Sequence, residues 1–131
     1  MDRRALDPAA IRERLEERQT RFAAMAAQTQ EMAERLKELS VIVTDPNGIV
    51  TVRVDANGSL TGIELSPRMH RISPDVVSHT IMEALAEAKR RLLDQTGDVI
   101  GETIGAESET GKAVTQHLRE RFGTDETGEW Q

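Results

Sequence analysis

After Pro8 the chain runs to Leu39 without a glycine or a further proline. Asp7 and Pro8 make a good helix start, because Asp can cap free N–H groups and Pro suits the first helical position. Apolar residues then recur at Ile11, Leu15, Phe22, Met25, Met32, Leu36 and Leu39. The steps alternate four and three once Arg18 and Thr29 are admitted, which is a heptad seam with two polar interruptions. A helix of about 32 residues is about 48 Å long at ~1.5 Å per residue. A chain of 131 residues has too little left over to cover it, so part of the helix must project or pack on a partner.

The charges of this segment are sorted. Arg14, Arg21 and Arg35 recur in one heptad position beside the seam, and Arg18 lies in it. Glu13, Glu16, Glu17, Glu31, Glu34 and Glu38 take outward positions. A helix needing only solubility would mix its signs. The plainer reading of arginines beside a seam is pairing with glutamates of a partner helix.

Three short strands follow. Ser40–Thr44 is rich in β-branched residues, and Asp45-Pro46-Asn47-Gly48 reads as a turn. Ile49–Asp55 alternates, with Val50, Val52 and Val54 on one face and Thr51, Arg53 and Asp55 on the other. Asn57-Gly58 predicts a type I′ hairpin turn, in which both positions take positive φ. Leu60–Leu65 returns, with Ile63 and Leu65 on one face. The pattern is an antiparallel meander with one apolar face and two open edges, and open edges invite pairing with a second copy.

Ser73-Pro74-Asp75 opens a second helix, with Ser as cap and Pro first. Its stripe of Val77, Ile81, Leu85, Ala88 and Leu92 suits the valine face of the sheet. Lys89-Arg90-Arg91 adds a basic cluster. Gly97 is expected to end or weaken this helix. Residues 1–106 therefore read as the folded domain and 107–131 as an acidic, flexible tail, with a short helix possible around 112–122.

Composition narrows the chemistry. The net charge is −6, yet residues 1–39 balance eight basic against eight acidic groups, while residues 94–131 carry three against nine. The acidic excess belongs to the C-terminal segment, so the overall charge does not argue against a polyanionic partner. Phe22, Phe122 and Trp130 are the whole aromatic complement. There is no cysteine, which excludes disulfides, thiolate metal sites and a thiol nucleophile, and suits a reducing compartment. No apolar run follows Arg3 and Arg4 as in a secretory signal, and no segment is long enough to span a membrane. His70, His79 and His117 lack metal-ligand spacing, and no phosphate-cradling or nucleophile motif is present. Asp55 reads as a turn residue and Arg53 as a solvated strand residue. The chain reads as a non-enzymatic binding module with no cofactor.

The order of long helix, three-stranded meander and second helix with paired basic residues resembles the YbaB/EbfC family of bacterial nucleoid-associated proteins. The residues that carry it are NGIVTVRVDANGSLTGIELSP at 47–67 and VVSHTIMEALAEAKRRLLDQT at 76–96. The likeness covers residues 8–96. It implies an α+β homodimer joined through the sheets, with helices projecting like tweezer arms that bind duplex DNA in the cytoplasmic nucleoid. Candidate phosphate contacts on the arm are Arg14, Arg18 and Arg21, with Arg3, Arg4 and Arg12 at its tip; Lys89, Arg90 and Arg91 form a second patch. No element groups Asn, Gln and Arg as a recognition helix does, so little sequence preference is expected. The alternative is a protein-binding scaffold of the same fold, such as an accessory factor of actinobacterial type VII secretion. The small family members lack so acidic an extension, and an acidic tail would compete for the arginines.

Overall fold

The computed structural model describes residues 7–126, and side chains as far as Glu120. The architecture is α+β. Helix α1 spans Pro8–Lys37, strands β1, β2 and β3 span Val41–Thr44, Val50–Val54 and Leu60–Leu65, and helices α2 and α3 span Pro74–Thr103 and Glu109–Glu126. A short 3₁₀ turn at Pro67–Arg71 links sheet to α2. Both long helices begin as their sequences dictate. The Asp7 side chain accepts from the Ala9 N–H and that of Ser73 from the Val76 N–H, each ahead of a proline in the first turn.

The strands form one antiparallel sheet in the order β1-β2-β3. Its two hairpin turns share the pattern Asp-x-Asn-Gly, at 45–48 and 55–58. In each, the glycine N–H donates to the aspartate carbonyl at 3.0 Å, and the glycine alone takes positive φ, +69° at Gly48 and +78° at Gly58. The second turn is therefore not the type I′ turn that Asn57-Gly58 predicts, since Asn57 keeps negative φ. The reason lies in the aspartate. Asp55 Oδ1 accepts from the N–H groups of Asn57 (2.9 Å) and Ser59 (3.0 Å), which favours a type I turn followed by a left-handed glycine. A register shift between Arg53 and Val54 absorbs the extra residue. Asp45 is held more deeply. Its carboxylate accepts from Val50 (2.6 Å), Ile49 (2.7 Å) and Asn47 (2.9 Å) N–H groups. Burial alone would push this carboxyl up, but the three backbone donors outweigh it and hold it below the usual carboxylate range.

The core lies between the sheet and α2. Val41, Val43, Val50, Val52 and Val54 pack against Val77, Ala84, Ala88 and Leu92, with Ile81 and Leu85 at the margin. Small residues at 84 and 88 let the helix approach the valines closely. The cover is incomplete. Residues opposed across an antiparallel pair share a face, so Ile63 and Leu65, opposite Val52 and Val50, belong to the apolar face. Yet every residue of β3 is exposed, including Leu60, Ile63 and Leu65 at 40–44%. The helix lies over β1 and β2 and leaves the third strand bare.

The C-terminal half departs from the sequence reading. Gly97 does not end α2, which runs on through Gly101 to Thr103 and stops where Gly105, at φ +85°, turns the chain and donates to the Ile100 carbonyl at 2.8 Å. Tertiary packing outweighs the glycine penalty of roughly 1 kcal/mol. Val99 and Ile100 join Met32 in a second cluster, edged by Leu36, Leu39, Ile104 and Val114, and Arg35 pairs with Glu102. Much of the segment expected as a flexible tail is α3, with Leu118 against the main core and Val114 against the second cluster. Gly111 is buried where it meets α2. A Cβ there would stand 2.3 Å from the Gly105 carbonyl oxygen and 3.2 Å from Ile100.

Candidate nucleic-acid interface

The arm is the part of α1 that the other described residues leave uncovered. Residues 11–31 are all exposed, and burial begins only at Met32. Some 24 residues, Pro8–Glu31, thus project over about 36 Å at ~1.5 Å per residue. Arg12, Arg14, Arg18 and Arg21 all lie on this exposed stretch. Arg14 and Arg21 immediately precede the seam residues Leu15 and Phe22, Arg12 follows Ile11, and Arg18 occupies the seam. Arg21 makes a loose pair with Glu17 at 3.7 Å, both side chains well exposed. Among the described residues, Arg12, Arg14 and Arg18 have no ion-pair partner. Arg14, Arg18 and Arg21 rise about 10 Å along one side of the helix. Exposed guanidiniums at this spacing can meet successive phosphate oxygens, each presenting a planar fork of donors. Arg3 and Arg4 lie outside the described residues.

The second patch is built differently. Arg90 and Arg91 both reach back to Glu87, whose carboxylate accepts from Arg90 Nε at 3.2 Å and Arg91 Nε at 3.1 Å. The hydrogen bonds from Arg90 and then Arg91 hold the Glu87 carboxyl below its ordinary range. Lys89 is half-buried beside them. One carboxylate shared by two guanidiniums lowers the local positive potential that phosphate would feel. The arm, by contrast, is rooted in the body through Met32, Leu36 and Leu39 and through the Arg35–Glu102 pair. Glu102 supplies the largest influence on Arg35 and raises its pKa above the ordinary value. The sequence pattern groups Arg35 with Arg14 and Arg21, but the fold separates them: Arg35 is anchored, and the other two face solvent.

Sequence reading missed a shallow groove on the outer sheet face, lined by Ile42, Thr51, Arg53, Thr61, Gly62 and Glu64. Strand alternation was its signal, since it sends Thr51 and Arg53 to that face. The groove holds one cation and one carboxylate, both exposed, which is poor equipment for chemistry. Among the described residues no three histidines, cysteines or carboxylates gather as a metal site. His79 faces solvent and sits 2.9 Å from Glu83 one turn on. No helix among the described residues is long and apolar enough to cross a membrane.

No curated protein shows a significant match to this chain. A family model does: the YbaB/EbfC DNA-binding family matches residues 12–107. The match takes in the projecting arm from Arg12 onward, the meander and all of α2, and ends two residues before α3 begins. With most of its length matched and with helix, three antiparallel strands and helix in the order described, the chain belongs to the YbaB/EbfC DNA-binding family.

Proposed function

We propose that this protein is a nucleoid-associated factor that grips duplex DNA as a homodimer, with little sequence preference, in the cytoplasm. The observation that carries this reading is the arm: a projecting helix of a DNA-binding family chain on which Arg12, Arg14 and Arg18 are exposed and unpaired. Phosphate contacts supply most of such affinity and carry no sequence information. Arg3 and Arg4, which precede the arm in the sequence, are further candidate phosphate contacts. Lys89, Arg90 and Arg91 form a weaker second surface, because Glu87 already occupies its two arginines.

The dimer is supported by β3. An edge strand with open backbone groups and three exposed apolar side chains, Leu60, Ile63 and Leu65, is a template for a second copy. Pairing two β3 strands about a twofold axis would join the sheets edge to edge and bring the two bare strips together, a self-complementary contact of the kind twofold symmetry requires. Two arms would then serve one duplex, which suits a role in organising the chromosome or in gene regulation.

The test is a titration of random-sequence duplex at two salt concentrations, with the wild-type chain and an Arg14→Ala, Arg18→Ala, Arg21→Ala variant whose mass is checked by light scattering. Each phosphate neutralised contributes about 0.9 to the slope of log K against log salt. Six arginines in a dimer therefore account for a slope difference of about five. Salt-sensitive binding that the variant loses, at unchanged mass, supports the arms as the DNA surface. Equal slopes would assign binding elsewhere, with Lys89, Arg90 and Arg91 the next residues to replace.

A further inference from the structure

DNA does not account for the apolar seam of the arm. Ile11, Leu15, Phe22 and Met25 are exposed by 43, 52, 69 and 60%, and phosphate contacts to neighbouring arginines leave such groups in water. Singly scattered apolar residues need no explanation, but these four lie in one line at heptad spacing, the pattern by which helices recognise helices. The flanking positions say which helix. On one side of the exposed seam stand Arg14, Arg21 and Gln28, and on the other Arg12, Gln19 and Ala26. None is acidic, and Glu13, Glu16, Glu17 and Glu31 all lie on the far face of α1. We propose that the arm seam docks an acidic amphipathic helix of another protein, with apolar residues every three and four positions and carboxylates on both flanks.

Two nearer occupants fit worse. A second arm packed antiparallel would bring arginine flank against arginine flank and Arg18 into a seam already holding its like, and like charges across such an interface are costly. The chain's own α3 is committed elsewhere, seated on α2 through Gly111, Val114 and Leu118. The carboxylates of a docked helix and the phosphates of a duplex would claim the same arginines. Where the arm also holds DNA, as read above, the two ligands exclude one another, and the partner releases DNA.

The probe is a fluorescent four-heptad peptide with Leu and Ile at its seam and Glu at every flanking position, whose self-repulsion keeps it unpaired alone. Titrated with the full chain, it should bind saturably. A Leu15→Ala, Phe22→Ala, Met25→Ala variant should bind it at least about tenfold more weakly, because these side chains would be the buried anchors. They are exposed and belong to neither core cluster of the described residues, so circular dichroism and unliganded mass should not change, and affinity for duplex should stay within about twofold. A matching peptide with Lys flanks should not bind. Absence of peptide binding, equal binding of the Lys peptide, or a lower unliganded mass for the seam variant would overturn the proposal, the last by showing that a second copy covers the seam. Peptide binding is read without DNA, so its failure is distinct from a failure of the DNA reading. Simultaneous binding of peptide and duplex would overturn their mutual exclusion.

Discussion

Helices α1 and α2 are each 30 residues long, and each starts with a capping side chain followed by proline. Their fates are opposite. Among the described residues α1 buries Met32 alone, whereas α2 buries seven, from Val77 to Ile100. Local signals make both helices; the composition of the stripe decides which one becomes core. The α2 stripe sets alanines between aliphatic residues and can settle onto a valine sheet. The α1 seam carries Phe22 and two methionines but also Arg18 and Thr29, which a dry sheet face would leave without partners. The helix that builds the core cannot present its stripe to a ligand, and the helix that keeps its stripe in water can.

The sharpest test of this contrast is a pair of truncations. Leu92→Ala, at a fully buried position in α2, should lower unfolding free energy by about 2–5 kcal/mol in urea denaturation. Phe22→Ala, the larger deletion by volume, stands at the other end of the scale, because Phe22 is exposed. Between them come two positions that neither helix stripe explains. Asp45→Ala strands the N–H groups of Asn47, Ile49 and Val50 and should cost about 1–3 kcal/mol. The wild-type carboxyl is held below its ordinary value when folded. Its contribution is therefore complete above the unfolded-state value of about 3.9 and fades as pH falls below it toward the folded-state value. Urea midpoints followed from pH 6 to pH 2 should show that acid loss in the wild type and a smaller one in the variant. Gly111→Ala would crowd the Gly105 carbonyl and should cost about 1–3 kcal/mol, read as lost hydrogen-exchange protection over 109–126 while the sheet keeps its own. The smallest effect belongs to Phe22→Ala, whose unfolding midpoint should move by no more than ~0.5 kcal/mol; a larger shift would mean that the arm is packed in solution and would collapse the distinction between the two helices.

The features legible in the sequence were those made by near neighbours. Asp7-Pro8 and Ser73-Pro74 marked both helix starts, the valine alternation marked β2, and the heptad spacing marked a helix too long to be covered. What depended on distant residues was hidden. The extension of α2 past Gly97 rests on Met32 and Val114 meeting Val99 and Ile100, from segments far away in the chain. The form of the second turn rests on how the Asp55 carboxylate is aimed, which the Asn-Gly pair alone does not specify. The bareness of β3 could not be read, because Ile63 and Leu65 alternate as buried residues do. The candidate site shows the same division. The arginine stripe is visible as a spacing, but only the fold separates Arg35, tied to Glu102, from the arginines that face solvent on the arm.

The root of the arm has a mechanical consequence. Met32 and Leu36, with Leu39 just past the helix end, seat α1 on the buried Val99 and Ile100 of α2, with about 36 Å of helix beyond that seat at ~1.5 Å per residue. A 10° rotation at that seat would sweep the tip through about 6 Å. That is close to two phosphate steps of a duplex, at ~3.4 Å each. If the arm grips a duplex as proposed, repacking by less than the width of a methyl group at Val99 or Ile100 would change which phosphates the tip reaches, and buried residues at its root would set the gauge of the grip.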